Sequence, residues 1–171
     1  MSNHFEGETG RWGTRLGVAS NLINDNFKGK KVYDMGCGGK QLKLFLEDNL
    51  YCGLDTSDYG VEEEFIQVDF NNISTYPNIK DNNGLIVCLG LLEYIENVEE
   101  FLLFCSQSIS YVICSYNVSD KDSLDKRKKL NWVNNYTLKE FKDLVQKFFI
   151  IENSFFLQKR EYIFILNSKE N

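Results

Sequence analysis

The sequence predicts an α/β fold: a doubly wound, mostly parallel sheet closed by a C-terminal antiparallel hairpin. Three observations predict it. Short apolar runs alternate with segments whose apolar residues recur at helical spacing. A cluster of glycines follows the first run. The last two runs are separated only by Gln158-Lys159-Arg160-Glu161, which suits a hairpin.

Arg11 to Phe27 places Leu16, Val18, Ala19, Leu22 and Ile23 mostly on one face of a helix that Gly29 stops. Lys31 to Met35 reads as a strand running into Gly36, and Gln41 to Glu47, with Leu42, Phe45 and Leu46, as a helix. Tyr51 to Leu54 and Phe65 to Val68 are further strands, each followed by an acid, Asp55 and Asp69. Thr56 to Glu64 is shorter than the dozen or so residues of a usual parallel crossover, so a truncated one is expected. Leu85 to Leu89 reads as a buried strand, Val98 to Ser106 as a helix and Tyr111 to Ser115 as another buried strand. Thr137 and Glu140 have capping-box spacing at the head of a helix carrying Leu138, Phe141, Leu144, Val145 and Phe148. Ile150 to Leu157 and Tyr162 to Leu166 form the hairpin.

The 171 residues suit one domain, 1–171, in which 1–29 is an N-terminal helix or lid and the polar stretch 117–136 an insertion on the acceptor side. A composition of 43% hydrophobic and 26% charged residues is that of an ordinary globular protein. The net charge of -6 speaks against holding nucleic acid through its phosphates and directs attention to a small-molecule partner. Five cysteines without a CxxC pair imply a reducing compartment and no zinc or other metal site. No apolar run approaches the ~20 residues of a membrane span, and Met1 to Gly10 has no signal core, so a cytoplasmic protein is expected.

Gly36, Gly38 and Gly39 make a turn between strand and helix where backbone N–H groups can approach a ligand. Such a turn alone is equally compatible with tight packing, and its neighbours decide. Asp34 precedes it, Asp55 stands 21 positions after Asp34, where dinucleotide-binding sheets place a ribose-binding acid, and Asp69-Phe70 follows the third strand. Acids at the carboxyl ends of successive strands would ring the crevice where open α/β sheets bind ligands.

On these motifs, over residues 30 to 116, the chain resembles the class I S-adenosylmethionine-dependent methyltransferases, whose first motif is an acid, a spacer and a glycine turn, here Asp34-Met35-Gly36-Cys37-Gly38. The resemblance implies a minimal Rossmann-like methyltransferase fold with S-adenosylmethionine as cofactor. It assigns Asp34, Gly36 and Gly38 to the methionine end, Asp55 to the ribose, Asp69 and Phe70 to the adenine, and Leu89 and Gly90 to the cleft wall, with Cys37 and Thr56 as further cofactor-binding candidates. The chain departs from the family at Lys40, where a third glycine is common, and at Tyr94, where many relatives carry histidine. A nicotinamide dehydrogenase would need glycine at Gln41 and would set Asp34 against a pyrophosphate. Neither the signature of exocyclic-amine methylases nor a carboxylate cluster for magnesium follows the fourth strand.

Methyl transfer from a sulfonium needs alignment and exclusion of water, and a hydroxyl acceptor also benefits from a base. Glu93 and Tyr94, beyond the fourth strand, are the catalytic candidates; the bland reading packs Tyr94 and turns Glu93 to water. The one histidine, His4, lies in a terminus read as loosely held rather than as a lid. Arg11, Trp12 and Arg15 near the first helix, and Trp132, Asn135 and Tyr136 in the insertion, are candidates for contact with the acceptor, with packing favoured for Trp132. Lys126-Arg127-Lys128-Lys129, offset by Asp120, Asp122 and Asp125, reads as a solvated run. The expected activity is methylation of a small acceptor, oxygen before nitrogen, with a sugar or surface-glycan precursor as one class. The alternative is a catalytically silent cofactor-binding subunit that supports a partner. The oligomeric state stays open.

Overall fold

A computed structural model of the chain describes residues 11–57, 64–120 and 122–169, with side chains from Thr14 onward. Helix α1 (Arg11–Asn26) lays Leu16, Ala19 and Ile23 on the sheet, and the chain leaves it through Gly29, whose φ of 76° is the left-handed turn that glycine supplies without strain. Seven strands follow: β1 (Lys31–Met35), β2 (Leu50–Asp55), β3 (Glu64–Gln67), β4 (Gly84–Cys88), β5 (Tyr111–Asn117), β6 (Phe149–Gln158) and β7 (Glu161–Ser168). They form one sheet in the order β3-β2-β1-β4-β5-β7-β6. The first five strands are parallel, and β7 enters antiparallel between β5 and β6, as the terminal hairpin requires. The strand order reverses between β1 and β4, so the loops leaving these two strands diverge and open a crevice at their carboxyl ends.

Helices α2 (Val98–Ser108) and α4 (Leu138–Val145) cover one face. Phe101, Leu102, Cys105, Phe141 and Val145 join Met35, Cys88, Cys114 and Phe164 there in the larger core. The opposite face carries α1 and a smaller core of Val32, Leu85, Val87 and Ile113. Full burial of such side chains contributes roughly 1.5 to 3 kcal/mol each, which makes the two-sided sheet the rigid support of whatever its loops hold. The capping box expected at α4 is formed: Thr137 accepts from the Glu140 backbone, and Glu140 accepts from the Thr137 N–H at 2.8 Å. All five cysteines are buried free thiols.

The helix expected over Gln41 to Glu47 does not form; Gln41–Phe45 is a short 3₁₀ helix. Lys40 enters it at φ 55°, and the chain is extended again by Leu46, leaving too few residues to repay the cost of nucleating an α-helix. Leu42 and Leu46 still turn inward while Leu44 is exposed, so the apolar spacing that suggested a helix is satisfied by the tighter coil. The glycine turn therefore lacks an α-helix N-terminus behind it. Most of the expected short crossover after Thr56 lies outside the described residues. So do His4, Met1 to Gly10 and the side chains of Arg11 and Trp12. The polar insertion contains one short helix, α3 (Leu124–Lys129). Among the described residues no helix is long and apolar enough to cross a membrane.

Candidate functional site

The glycine turn prolongs the β1–β2 pairing past the end of β1: the Gly36 and Cys37 N–H groups donate to the Leu54 carbonyl at 2.8 and 3.2 Å. Gly36 and Gly38 adopt φ 73° and 49°. A Cβ on Gly36 would come within 3.0 Å of Leu91 Cδ1, so the close approach of the two loops needs glycine there. The Gly38 N–H donates to Asp55 Oδ2 at 2.9 Å, while Asp55 Oδ1 accepts from the Thr56 N–H at 2.7 Å. Both carboxylate oxygens are thus oriented by backbone donors at the carboxyl end of β2; Oδ1 also accepts from the Thr56 hydroxyl at 3.2 Å, and Oδ2 keeps lone-pair capacity for a further donor.

Beside Asp55 opens a cleft of about 250 Å³. Its backbone walls are Gly36 and Gly90; its polar rim is Asp55, Thr56, Asp69 and Asn71; its apolar side is Phe70, Leu91, Tyr94 and Ile95. These residues come from the loops after β1, β2, β3 and β4. Asp69 is exposed, and its carboxylate accepts from the Asn71 N–H at 2.9 Å. Phe70 anchors this loop by setting its ring edge-on to Phe101, with centroids 5.4 Å apart. Asn71 then joins the two walls: its Nδ2 donates to the Tyr94 carbonyl at 3.0 Å, and its Oδ1 accepts from the Glu96 N–H at 2.8 Å. Nothing in the sequence marks Asn71, since an Asn in a polar loop carries no periodic signal.

Asp34 lies behind the glycine turn, 5% exposed, where Tyr51 donates its phenol hydrogen to Oδ2 at 2.7 Å. Burial, with the nearby Asp55 charge as a smaller contributor, pushes the Asp34 carboxyl up to about 7, against the opposing pull of the Tyr51 bond. Burial likewise drives the Cys37 thiol up to about 12 and so away from thiolate chemistry.

A buried polar layer surrounds Glu93, next in the chain to Tyr94. Glu93 is 1% exposed, and its Oε1 accepts from both the backbone N–H and the side-chain amide of Asn117. Arg127, fully buried, donates to the Asn117 carbonyl at 2.7 Å, the Asn134 carbonyl at 3.0 Å and Asn135 Oδ1 at 2.8 Å. Two guanidinium groups lie over the Trp132 ring, that of Arg127 at 4.8 Å and that of Arg160 at 4.9 Å from its centroid. Arg160 is ion-paired with Asp122, and Arg15 with Glu161. Three buried cations and three buried carboxylates therefore fasten the insertion and α1 to the ends of β5 and β7.

The sequence matches no family model and no curated protein. The fold does match solved structures. The magnesium protoporphyrin IX methyltransferase of Synechocystis PCC 6803, solved with bound SAH, aligns over 95% of this chain and 90% of its own, with TM-score 0.67 and 16% identity. An S-adenosylmethionine-dependent methyltransferase from Mesorhizobium loti aligns over 88% and 96%, with TM-score 0.65 and 13% identity. The chain has the class I methyltransferase fold. The cyclase SpnF aligns over 98% and 85%, with TM-score 0.73 and 10% identity, so the fold by itself does not decide the reaction.

Within that fold the expected residues separate into three groups. Gly36, Asp55, Thr56, Asp69, Phe70, Gly90 and Tyr94 line the cleft, with Gly38 bonded to Asp55. Asp34, Cys37 and Leu89 do not line it. Asp34 is buried behind the turn, Cys37 Sγ occupies the space over Gly53, and Leu89 belongs to the smaller core, Leu91 taking its place at the wall. The acceptor candidates described are otherwise engaged. Arg15 pairs with Glu161, Trp132 is packed, Asn135 holds Arg127, and Tyr136 packs on Tyr116 with centroids 6.1 Å apart. The bland reading of the catalytic pair is inverted: Glu93 is buried and Tyr94 is 43% exposed at the cleft. The basic run is not uniformly solvated, because Arg127 faces inward as the hub of the insertion.

Proposed function

We propose that this chain binds S-adenosylmethionine in the cleft and transfers its methyl group to a small-molecule acceptor, an oxygen before a nitrogen. The observation that carries the reading is the fixed Asp55 carboxylate, held by Gly38 and Thr56, facing Asp69 and Phe70 across a glycine-walled cleft. The donor set fits the cofactor. Asp55 would accept from the ribose hydroxyls, Asp69 and the Phe70 backbone would meet the adenine, and the backbone of Gly36 and Gly90 would flank the remainder. When bound, the cofactor supplies a methyl group on an electrophilic sulfonium.

The protein's part is then to orient and to exclude water. Leu91, Ile95 and Phe70 give the cleft its apolar side. Tyr94 presents the phenol closest to hand for an acceptor hydroxyl and would hold or relay its proton, with Glu93 fastening the preceding turn to Asn117. The silent cofactor-binding subunit is a second reading, favoured by one feature: Glu93 does not line the cleft and gives its Oε1 to Asn117.

Isothermal titration with S-adenosylmethionine tests the binding. A single saturable site is expected, weakened at least ~10-fold by Asp55→Ala, the loss of one or two hydrogen bonds to a charged acceptor. No binding of the cofactor or of S-adenosylhomocysteine by the folded protein overturns the reading. An acceptor screen with methyl-labelled cofactor separates enzyme from silent subunit, since multiple turnover by the isolated chain excludes the latter.

A further inference from the structure

Tyr51 carries no motif, yet it reaches the acid of the glycine turn from the neighbouring strand. It stands opposite Val32 in the β1–β2 register, is 4% exposed, and places its hydroxyl 2.7 Å from Asp34 Oδ2. An acid taken out of water at that position tends to keep its proton, and a donor bonded to it favours the ionised form. Among the described residues, the other titratable groups facing Asp34 are Asp55 at the end of β2, Cys37 in the turn and Cys88 on β4. Asp55 opposes ionisation; the Cys37 thiol is held neutral by burial, and the Cys88 thiol by its hydrogen bond with Cys114 together with burial. Tyr51 therefore supplies the hydrogen bond that offsets the cost of a charge beneath the cleft.

We propose that Tyr51 is the positioning residue that favours the ionised form of Asp34 behind the glycine turn and thereby ties the binding of a cationic cofactor to pH. The inference rests on the cofactor reading above and adds a residue and a charge preference to it. A ligand that brings positive charge to the cleft draws Asp34 into its ionised form and releases a proton. S-adenosylmethionine carries the sulfonium charge and S-adenosylhomocysteine does not, so Asp34 favours the methyl donor over the spent product. Tyr51 touches neither and acts through Asp34.

The test is isothermal titration of the full chain with both cofactors between pH 6 and 9, beside ¹³C carboxyl NMR of Asp34 in the cofactor-free protein. With Asp34 titrating near 7, S-adenosylmethionine should bind about tenfold more weakly at pH 6 than at its plateau, and the demethylated product should show a smaller slope. Tyr51→Phe should move the NMR midpoint and the binding midpoint up by about one pH unit, weaken binding about fivefold at pH 7 and rejoin wild type near pH 9. Asp34→Asn should flatten the profile. A Tyr51→Phe profile parallel to wild type at every pH, or an unchanged NMR midpoint, overturns the inference and leaves Tyr51 a packing residue. Absence of binding at every pH overturns instead the cofactor reading on which it rests.

Discussion

Two glycines of the site share a left-handed conformation but differ in surroundings, and alanine at each separates backbone strain from steric displacement. Gly38 has φ 49° and nothing within 4 Å of the place a Cβ would take, so Gly38→Ala bears only the left-handed penalty of roughly 1 to 2 kcal/mol. Gly90 has φ 71°, and a Cβ there would lie 2.1 Å from Arg15 Nη1. That atom ends a flexible side chain, but Arg15 is 3% exposed and held by Glu161, itself fully buried. Moving the guanidinium disrupts a buried pair, which costs up to about 3 to 5 kcal/mol when one partner is lost, on top of the same strain. Gly90→Ala should therefore destabilise by at least ~3 kcal/mol and Gly38→Ala by about half of that or less. Urea unfolding followed by tryptophan fluorescence and circular dichroism measures both, with an unchanged slope confirming that stability alone has moved. In the double variant with Arg15→Ala, the excess cost of Gly90→Ala should largely vanish. Equal costs at the two glycines would refute the reasoning, because Arg15 would then not be fixed against Gly90.

The Asp34 carboxyl, held near 7 by burial, sits above its ordinary 3.8, so the folded chain keeps a proton that the unfolded chain releases. Its contribution is fully present below about pH 4 and is lost as pH rises towards 7, a change of up to about 4 kcal/mol that Asp34→Asn should remove from the pH profile of urea unfolding. Arg127→Met leaves the buried Asn117 and Asn134 carbonyls without this donor and Trp132 without one of its two cations, and should cost about 1 to 3 kcal/mol for each orphaned acceptor by the same assay; a loss below ~1 kcal/mol in all would mean that the insertion is not fastened through this residue.

The strands, the turn after α1 and the α4 capping box were legible because each rests on local chemistry: apolar runs, a glycine at positive φ, a Thr and a Glu three apart. Asp55 and Asp69 were legible by their place after strands. What escaped is set by contacts between distant segments. Leu42, Phe45 and Leu46 fit the spacing of an α-helix and of a 3₁₀ helix alike, and the left-handed Lys40 that shortens the segment is not marked by residue type. Arg127 looks like its lysine neighbours in a basic run; only Asn117, Trp132, Asn134 and Asn135, brought beneath it by the fold, turn it inward. Glu93 and Tyr94 are adjacent, and which one meets the cleft depends on Asn117 capturing the carboxylate. Tyr51 reads as one more aromatic in a strand until the β1–β2 register sets it beside Asp34.

Whether the cleft at the ends of β1 to β4 holds S-adenosylmethionine is tested most directly by titrating the ¹⁵N-labelled chain with S-adenosylhomocysteine and following the backbone amides. Saturable shifts are expected, concentrated at Gly36, Gly38, Asp55, Asp69, Phe70 and Gly90, with the hairpin of β6 and β7 unmoved. A spectrum that does not change, or saturable shifts that avoid these residues, would contradict cofactor binding in this cleft.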